Sequence, residues 1–284
     1  MFKIKFMLIS FLAVLSIYTI NSYSWNALGH MVVAQIAYEQ LNPEVQKKVD
    51  KMVTDLGKEY PYITSFYQLG PWPDSLKIQK IDIYSHWHYT DLAFSTDGTA
   101  LKNLENTDNV VWAINQMEPI VANNKANVYE RAKFLAFLVH IIADIHQPLH
   151  TTSLISAKTP DGDKGGNLYY IKFPTAHPKT ITLHKLWDQG IDVFIGESTF
   201  DKVTALSHQI TALYPREYFG TKVMDLKPDH WTNEGLQTSI TMVYSTPENQ
   251  ILSDDYQTSG RLIVQQKAAL AGYRLAAVLN QLLN

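Results

Sequence analysis

Apolar residues recur every three or four positions along most of this chain. That spacing predicts helices over Ala27–Leu41, Val45–Leu56, Val110–Val121 and Ala132–Ile145, and again over Val203–Leu213 and Gly260–Leu283. Asn42-Pro43 reads as a helix stop followed at once by a new start, since proline suits the first helical turn. The rhythm fails between Ser156 and Leu183. That section, "SAKTPDGDKGGNLYYIKFPTAHPKTITL", opens as a Gly/Asp-rich loop, and its runs "NLYYIKF" and "TITL" predict one small β-hairpin. Further on, "HWTNEG" begins another helix, with Thr232 or Asn233 as its cap and Trp231 in the core. No repeat or flexible linker divides the pattern. The expectation is a mainly α, single-domain multi-helix protein with one small β-hairpin, long enough at 284 residues for one large core or two modest ones.

The first residues follow a different rule. Lys3 and Lys5 precede an apolar run from Phe6 to Ile20, and Ser22 and Ser24 stand just before Trp25. This is the layout of a secretory signal peptide over residues 1–24, cleaved after Ser24, and the run is short of the roughly 20 apolar residues a membrane span needs. The mature domain is then 25–284, periplasmic or secreted. Cleavage removes two lysines and no acid, so the formal charge moves from -3 to -5. A mildly acidic protein is a poor candidate for non-specific duplex binding, and any nucleic-acid chemistry needs metal ions to supply positive charge locally. The chain has no cysteine, hence no disulfide frame.

Candidate chemistry concentrates in "LVHIIADIHQPLH", Leu138–His150. His140 and Asp144 are four apart, on one face of a helix that is otherwise apolar. An imidazole and a carboxylate buried there without partners cost several kcal/mol, on the order of what a metal ion or a mutual hydrogen bond would recover. Pro148 then ends the helix, so His150 approaches from a new direction, while His146 falls off the His140–Asp144 face as a solvent or secondary group. "LHKLWDQG" repeats the four-residue spacing with His184 and Asp188. "PWPDSLK" and "SHWHYTDL" add Asp74, His86, His88 and Asp91, and "WNALGH" places His30 five residues after Trp25. Freed by cleavage, the Trp25 amino group has a pKa near ~8 and can serve as a neutral nitrogen ligand. Five histidines and three aspartates suit zinc better than calcium or magnesium, and they exceed what one ion can take. Neighbouring divalent ions are the arrangement used to hydrolyse phosphate esters. His177, His208 and His230 lack acids at helical spacing and read as surface groups.

In order, "WNALGH", "WPD", "HYTD", "HIIADIHQPLH", "GGN" and "LHKLWD" resemble the zinc-dependent single-strand nucleases, the fungal and plant bifunctional nucleases with bacterial members. Bacterial zinc-dependent phospholipases C are similar to these in fold and metal cluster. The resemblance implies three zinc ions. One is held by Asp74, His88, His140 and Asp144. A second takes the amino nitrogen and carbonyl oxygen of Trp25 with His30, and shares Asp144. The third is held by His150, His184 and Asp188. It further implies water activated between the first two ions, a departing 3′-oxygen stabilised by the third, 5′-phosphate products and 3′-nucleotidase activity. Asp74 orients the attacking water, Tyr89 stacks on a base, and Asp91 and Asn167 bond the base edge.

Two positions depart from the family pattern. Lys77 stands where an arginine is usual, keeping the charge but losing the bidentate fork. The loop between His150 and "GGN" is longer, and it includes "TPDGDK". The expected protein is therefore a monomeric zinc phosphodiesterase acting on single-stranded DNA, RNA or a 3′-nucleotide. A phospholipase C on the same cluster and a non-enzymatic zinc-holding protein are the competing readings.

Overall fold

All six long periodic stretches are helical in the computed structural model of the protein, which describes residues 25–284; the expected signal peptide lies outside the described residues. In chain order the elements are α1 (Ala27–Glu39), α2 (Pro43–Gly57), α3 (Trp72–Ile78), β1 (Leu92–Phe94), α4 (Val110–Ala122) and α5 (Val128–Asp144). There follow β2 (Thr152–Leu154), β3 (Tyr170–Phe173), β4 (Lys179–Thr182) and α6 (Leu183–Asp188). The chain closes with α7 (Phe200–Leu213), α8 (Arg216–Phe219), α9 (Pro228–Thr241) and α10 (Asp254–Leu283). The mainly α expectation holds. Among the described residues no helix is long and apolar enough to cross a membrane.

Several helices start a turn or more before their apolar pattern does, because a polar cap sets the start. The Asn127 side chain accepts from the backbone N–H groups of Tyr129 and Glu130, so α5 begins at Val128 rather than Ala132. Ser253 caps α10, and two acids in its first turn complement the helix dipole. Thr232 and Asn233 do not cap α9, contrary to expectation. The helix already starts at Pro228, and both side chains bond back to the Asp229 carbonyl within it. Pro228 makes the early start possible, since the first turn has no use for its missing N–H.

Helix α5 is buried on every side from Leu135 to Asp144, which accounts for its lack of an amphipathic stripe. On one flank it packs into a core with α2, α4 and the end of α10. A second core gathers α1, α6, α7 and the middle of α10. Close approach of α1 and α10 depends on Gly272, where a Cβ would stand 2.5 Å from Cγ2 of Ile36.

The expected hairpin is present: β3 and β4 pair antiparallel with Tyr170 opposite Thr182. It runs directly into α6, whose cap is the Thr182 hydroxyl. A second pair was not foreseen. Strands β1 and β2 are parallel, with Leu92 opposite Thr152, and the crossover between them carries α4 and α5. That pair lays the chain after His88 alongside the chain after His150. The Thr90 amide donates to the His150 carbonyl (2.9 Å), and Nδ1 of His150 donates to the His88 carbonyl (2.8 Å).

Candidate metal centre

Eight of the side chains expected to hold metal converge in three buried groups: His30, His140 and Asp144; Asp74, His88 and His140; and His150, His184 and Asp188. Within each group the donor atoms lie within 4.8 Å of one another. Six different elements supply them, four helices and two short turns. His30 comes from α1, Asp74 from α3, His140 and Asp144 from α5, and His184 and Asp188 from α6. His88 and His150 end single 3₁₀ turns, the second opened by Pro148 as the sequence implies.

The ring orientations are fixed from behind. Nδ1 of His140 donates to the Gly70 carbonyl (2.7 Å), Nδ1 of His150 to His88, and Nδ1 of His184 to the Gly165 carbonyl (2.6 Å). A carbonyl only accepts, so the proton sits on Nδ1 and the Nε2 lone pair points into the site, the arrangement that orients histidine ligands in metalloproteins. His88 is reversed and offers Nδ1, 2.9 Å from Nε2 of His140 and 3.1 Å from Oδ2 of Asp144. The other oxygen of Asp144, Oδ1, lies 3.3 Å from Nε2 of His30, whose ring stacks on His140 with centroids 3.9 Å apart. Asp144 therefore faces two histidine sets with its two oxygens. In the third group Nε2 of His184 is 3.3 Å from Oδ2 of Asp188, and Nε2 of His150 is 3.6 Å from Oδ1.

These separations bracket the ~3.3 Å expected between two ligands of one tetrahedral zinc. Nε2 of His150 is buried with no hydrogen-bond partner, and nitrogen and oxygen donors crowd together with little solvent access. The donor set fits zinc. Burial pulls His30 down to about 3, with His140 adding to it, and pulls His88 down to about 4. Burial also opposes charge on His150, but Asp188 and Asp144 outweigh it and push that ring up to about 9. The Asp144 carboxyl stays well below the usual range, because His140 and His88 more than offset its burial. Without a cation the site therefore carries protons that metal would displace.

Beside these groups lies a cavity of about 480 Å³, within the range of ligand pockets, lined by His88, His150 and His184 together with Lys77, Tyr89, Asp91 and Asn167. All four side chains expected to touch substrate thus share one cleft with the histidines. Nζ of Lys77 is 3.2 Å from Oδ1 of Asp74. Burial, then the nearby Asp163 carboxylate, pushes Asp91 up to about 6. Asn167 is also a turn residue, its amide donating to the Lys164 carbonyl (2.9 Å). The longer loop is pinned by Asp163, which accepts from the Leu154 amide (2.9 Å) and the Tyr244 hydroxyl (2.8 Å).

Trp25 is buried against Phe194 at 4.9 Å, and the backbone N–H of the next residue, Asn26, donates to the Asp188 carbonyl (2.9 Å), at the end of the helix that carries His184 and Asp188. The other singled-out histidines stand elsewhere. His86 is outside the groups and pairs with Asp108 at the surface (3.0 Å). His146 is not a solvent group: it is buried, donating from Nδ1 to the Ile142 carbonyl (2.7 Å) and accepting at Nε2 from Arg274 (3.0 Å). His208 and His230 are exposed as expected, but each has an acid beside it, Glu39 and Asp225.

Gln147 escaped the sequence reading. Its amide donates to Oδ1 of Asp188 (2.8 Å) while its carbonyl accepts from the Leu149 amide (2.7 Å), tying α6 to the end of α5. A lone amide inside an oily stretch between two histidines was the available signal. The Gly165-Gly166 turn is the other positioning device. Both residues have positive φ (60° and 77°), and a Cβ on Gly165 would overlap the Leu149 carbonyl oxygen. Gly165→Ala is expected to displace the carbonyl that orients His184. Metal affinity at that group should fall about 10- to 100-fold, as for other outer partners of metal ligands, read as zinc content after dialysis against a weak chelator. Undiminished zinc content would show that the turn is not needed.

A family model described as S1/P1 Nuclease matches residues 25–284. Among similar proteins, Endonuclease 2 of Arabidopsis thaliana is 25% identical over 92% of this chain and 91% of its own length. Nuclease S1 of Aspergillus oryzae is 24% identical over 91% and 92%. Nuclease P1 of Penicillium citrinum is 24% identical over 58% and 57%.

Proposed function

This chain belongs to the S1/P1 nuclease family and is a phosphodiester-cleaving nuclease, and from that premise we propose how its residues carry the reaction. The family is zinc-dependent in general, and the residues of this chain would hold three zinc ions. Asp74, His88, His140 and Asp144 would hold one. His30, the amino nitrogen and carbonyl oxygen of Trp25, and Asp144 would hold the second. His150, His184 and Asp188 would hold the third. The observation that carries this reading is Asp144, whose two oxygens face different histidines at 3.1 and 3.3 Å. When bound, zinc polarises phosphoryl oxygens and makes water acidic enough to attack at neutral pH.

The protein's own groups do the rest. Asp74, beside Lys77, orients the attacking water, and Lys77 offers its charge to the phosphoryl oxygens as a point donor. Tyr89 provides an aromatic face for a base, and Asp91 and Asn167 bond the base edge. Tyr89 lines the same cleft as the histidines, and a base must leave its duplex stack to lie on that ring, so single-stranded DNA and RNA are the substrates. Products carry 5′-phosphates, and 3′-nucleotides are dephosphorylated. The protein is a monomer, exported to the periplasm or beyond after cleavage between Ser24 and Trp25.

The test is direct. Zinc-loaded mature protein should cleave single-stranded oligonucleotides at least ~100-fold faster than the same sequence as a duplex, since unpairing costs a few kcal/mol. The new ends should be 5′-phosphates, and phosphatidylcholine vesicles should release no phosphocholine. Exclusive cleavage of the lipid would overturn the reading.

A further inference from the structure

A second cavity, about 570 Å³, lies between α9, α10 and the turn after α8, away from the histidine groups. Its polar wall follows from the two faces of α9. Trp231, Thr232, Gly235 and Ser239 are buried inward, whereas His230, Asn233, Glu234 and Gln237 line the cavity. On α10, Gln266, Lys267 and Leu270 complete one helical stripe opposite them.

The charges in this cavity do not balance. Asp225 is engaged by His230 at 2.8 Å. Glu234 is held bidentately by the buried Arg274 guanidinium, at 2.8 and 2.9 Å. Two further donors of Arg274 go to the Lys222 carbonyl (3.0 Å) and to His146. Lys222 and Lys267 also line the cavity, and among the described residues neither forms an ion pair with a carboxylate. The Lys267 ammonium has one long contact, 3.4 Å, to the backbone carbonyl of Glu234. Burial pulls it down to about 8; Glu234 offsets this in part, and Arg274 and Lys222 add to it. Three cations, Lys222, Lys267 and the buried Arg274, thus stand against the two carboxylates Asp225 and Glu234, a local excess of one positive charge on a protein whose net charge is negative.

We propose that this cavity is a second anion site, taking a phosphate group as inorganic phosphate or as the 5′-phosphate of a nucleotide, with Lys222 and Lys267 as its cationic contacts. Both ammonium groups can donate to phosphate oxygens, and the Gln237 and Gln266 amides on opposite walls supply neutral donors. The site stands apart from the hydrolytic cleft and does not depend on which esters that cleft cleaves.

Calorimetric titration of the zinc-loaded protein with inorganic phosphate, and separately with 5′-AMP, tests it. Phosphate bound at the zinc cleft is common to all variants and cancels in the comparison. Wild type should show a further binding event that weakens at least about tenfold in Lys267→Met and in Lys222→Ala, the scale of one charge-assisted hydrogen bond. Both variants should hydrolyse single-stranded DNA at the wild-type rate. Lys222 is exposed, so its replacement carries little folding risk, and Lys267→Arg should retain binding. Binding of both probes, or of inorganic phosphate alone, supports the site and tells whether a nucleotide also fits. Phosphate isotherms that are the same in wild type, Lys267→Met and Lys222→Ala would overturn it.

Discussion

Replacing Asp144 by asparagine is expected to remove more than one zinc ion and to lower kcat on the order of 10³-fold or more. Loss of an outer partner of a metal ligand costs about 10- to 100-fold, and Asp144 stands closer than that to two histidine sets at once. Asparagine keeps the shape and one acceptor oxygen. It loses the negative charge that His140 and His88 now stabilise, and it presents an NH₂ group to one of them. The amide then faces a lone pair on one side and repels a cation on the other. Asp188→Asn is the control: that carboxylate belongs to one buried group, with His150 and His184, so the variant should lose a single ion. Zinc per chain by atomic emission, measured with turnover on single-stranded DNA, separates the two cases. If Asp144→Asn retained full zinc and turned over within tenfold of wild type, Asp144 would not be a shared ligand.

The converging histidines and aspartates were legible because their spacing is a local property. His140 and Asp144, like His184 and Asp188, are four apart on helices, and Pro148 marks the point where the chain turns before His150. What brings the pairs together was not legible. The parallel pairing of β1 with β2 involves three residues on each strand, too few to leave an alternating pattern, and it links positions 60 apart. Helix α3, which carries Asp74, is seven residues long with Pro71 and Pro73 at its start, too short for apolar spacing to mark it. His146 was misplaced for a similar reason. Its position off the His140–Asp144 face is real, but its partner Arg274 lies 128 residues on, and nothing near it in sequence announces a buried guanidinium. The cap-driven helix starts at Asn127 and Ser253 were readable in principle, since each is a favoured cap residue followed by acids, but apolar periodicity does not extend into a solvated first turn.

Exhaustive chelation should abolish nuclease activity and lower thermal stability in the same titration. Each ion bound to the native chain alone contributes RT ln(1 + [L]/Kd), about 4 kcal/mol when free zinc exceeds Kd a thousandfold, and an unfolded chain has no assembled site to compensate. Stripping the ions also changes how stability depends on pH. His30 and His88, drawn down to about 3 and about 4, stay neutral in the folded metal-free chain while their unfolded counterparts protonate below ~6.5. The unfolded state then binds more protons, so stability falls as pH drops from ~6.5 toward 4. His150, pushed up to about 9, works in the opposite sense: its contribution is fully present below ~6.5 and is lost as pH rises through about 9. Metal-free protein should therefore be most stable near pH ~6.5, whereas zinc-loaded protein gains as its ligands deprotonate. The gap in Tm between the two forms should widen from pH ~6.5 to 9, scanned by calorimetry at matched ionic strength. A chelated sample that kept its activity, or whose Tm tracked the loaded protein across that range, would mean that the buried histidines and aspartates are satisfied by one another rather than by metal.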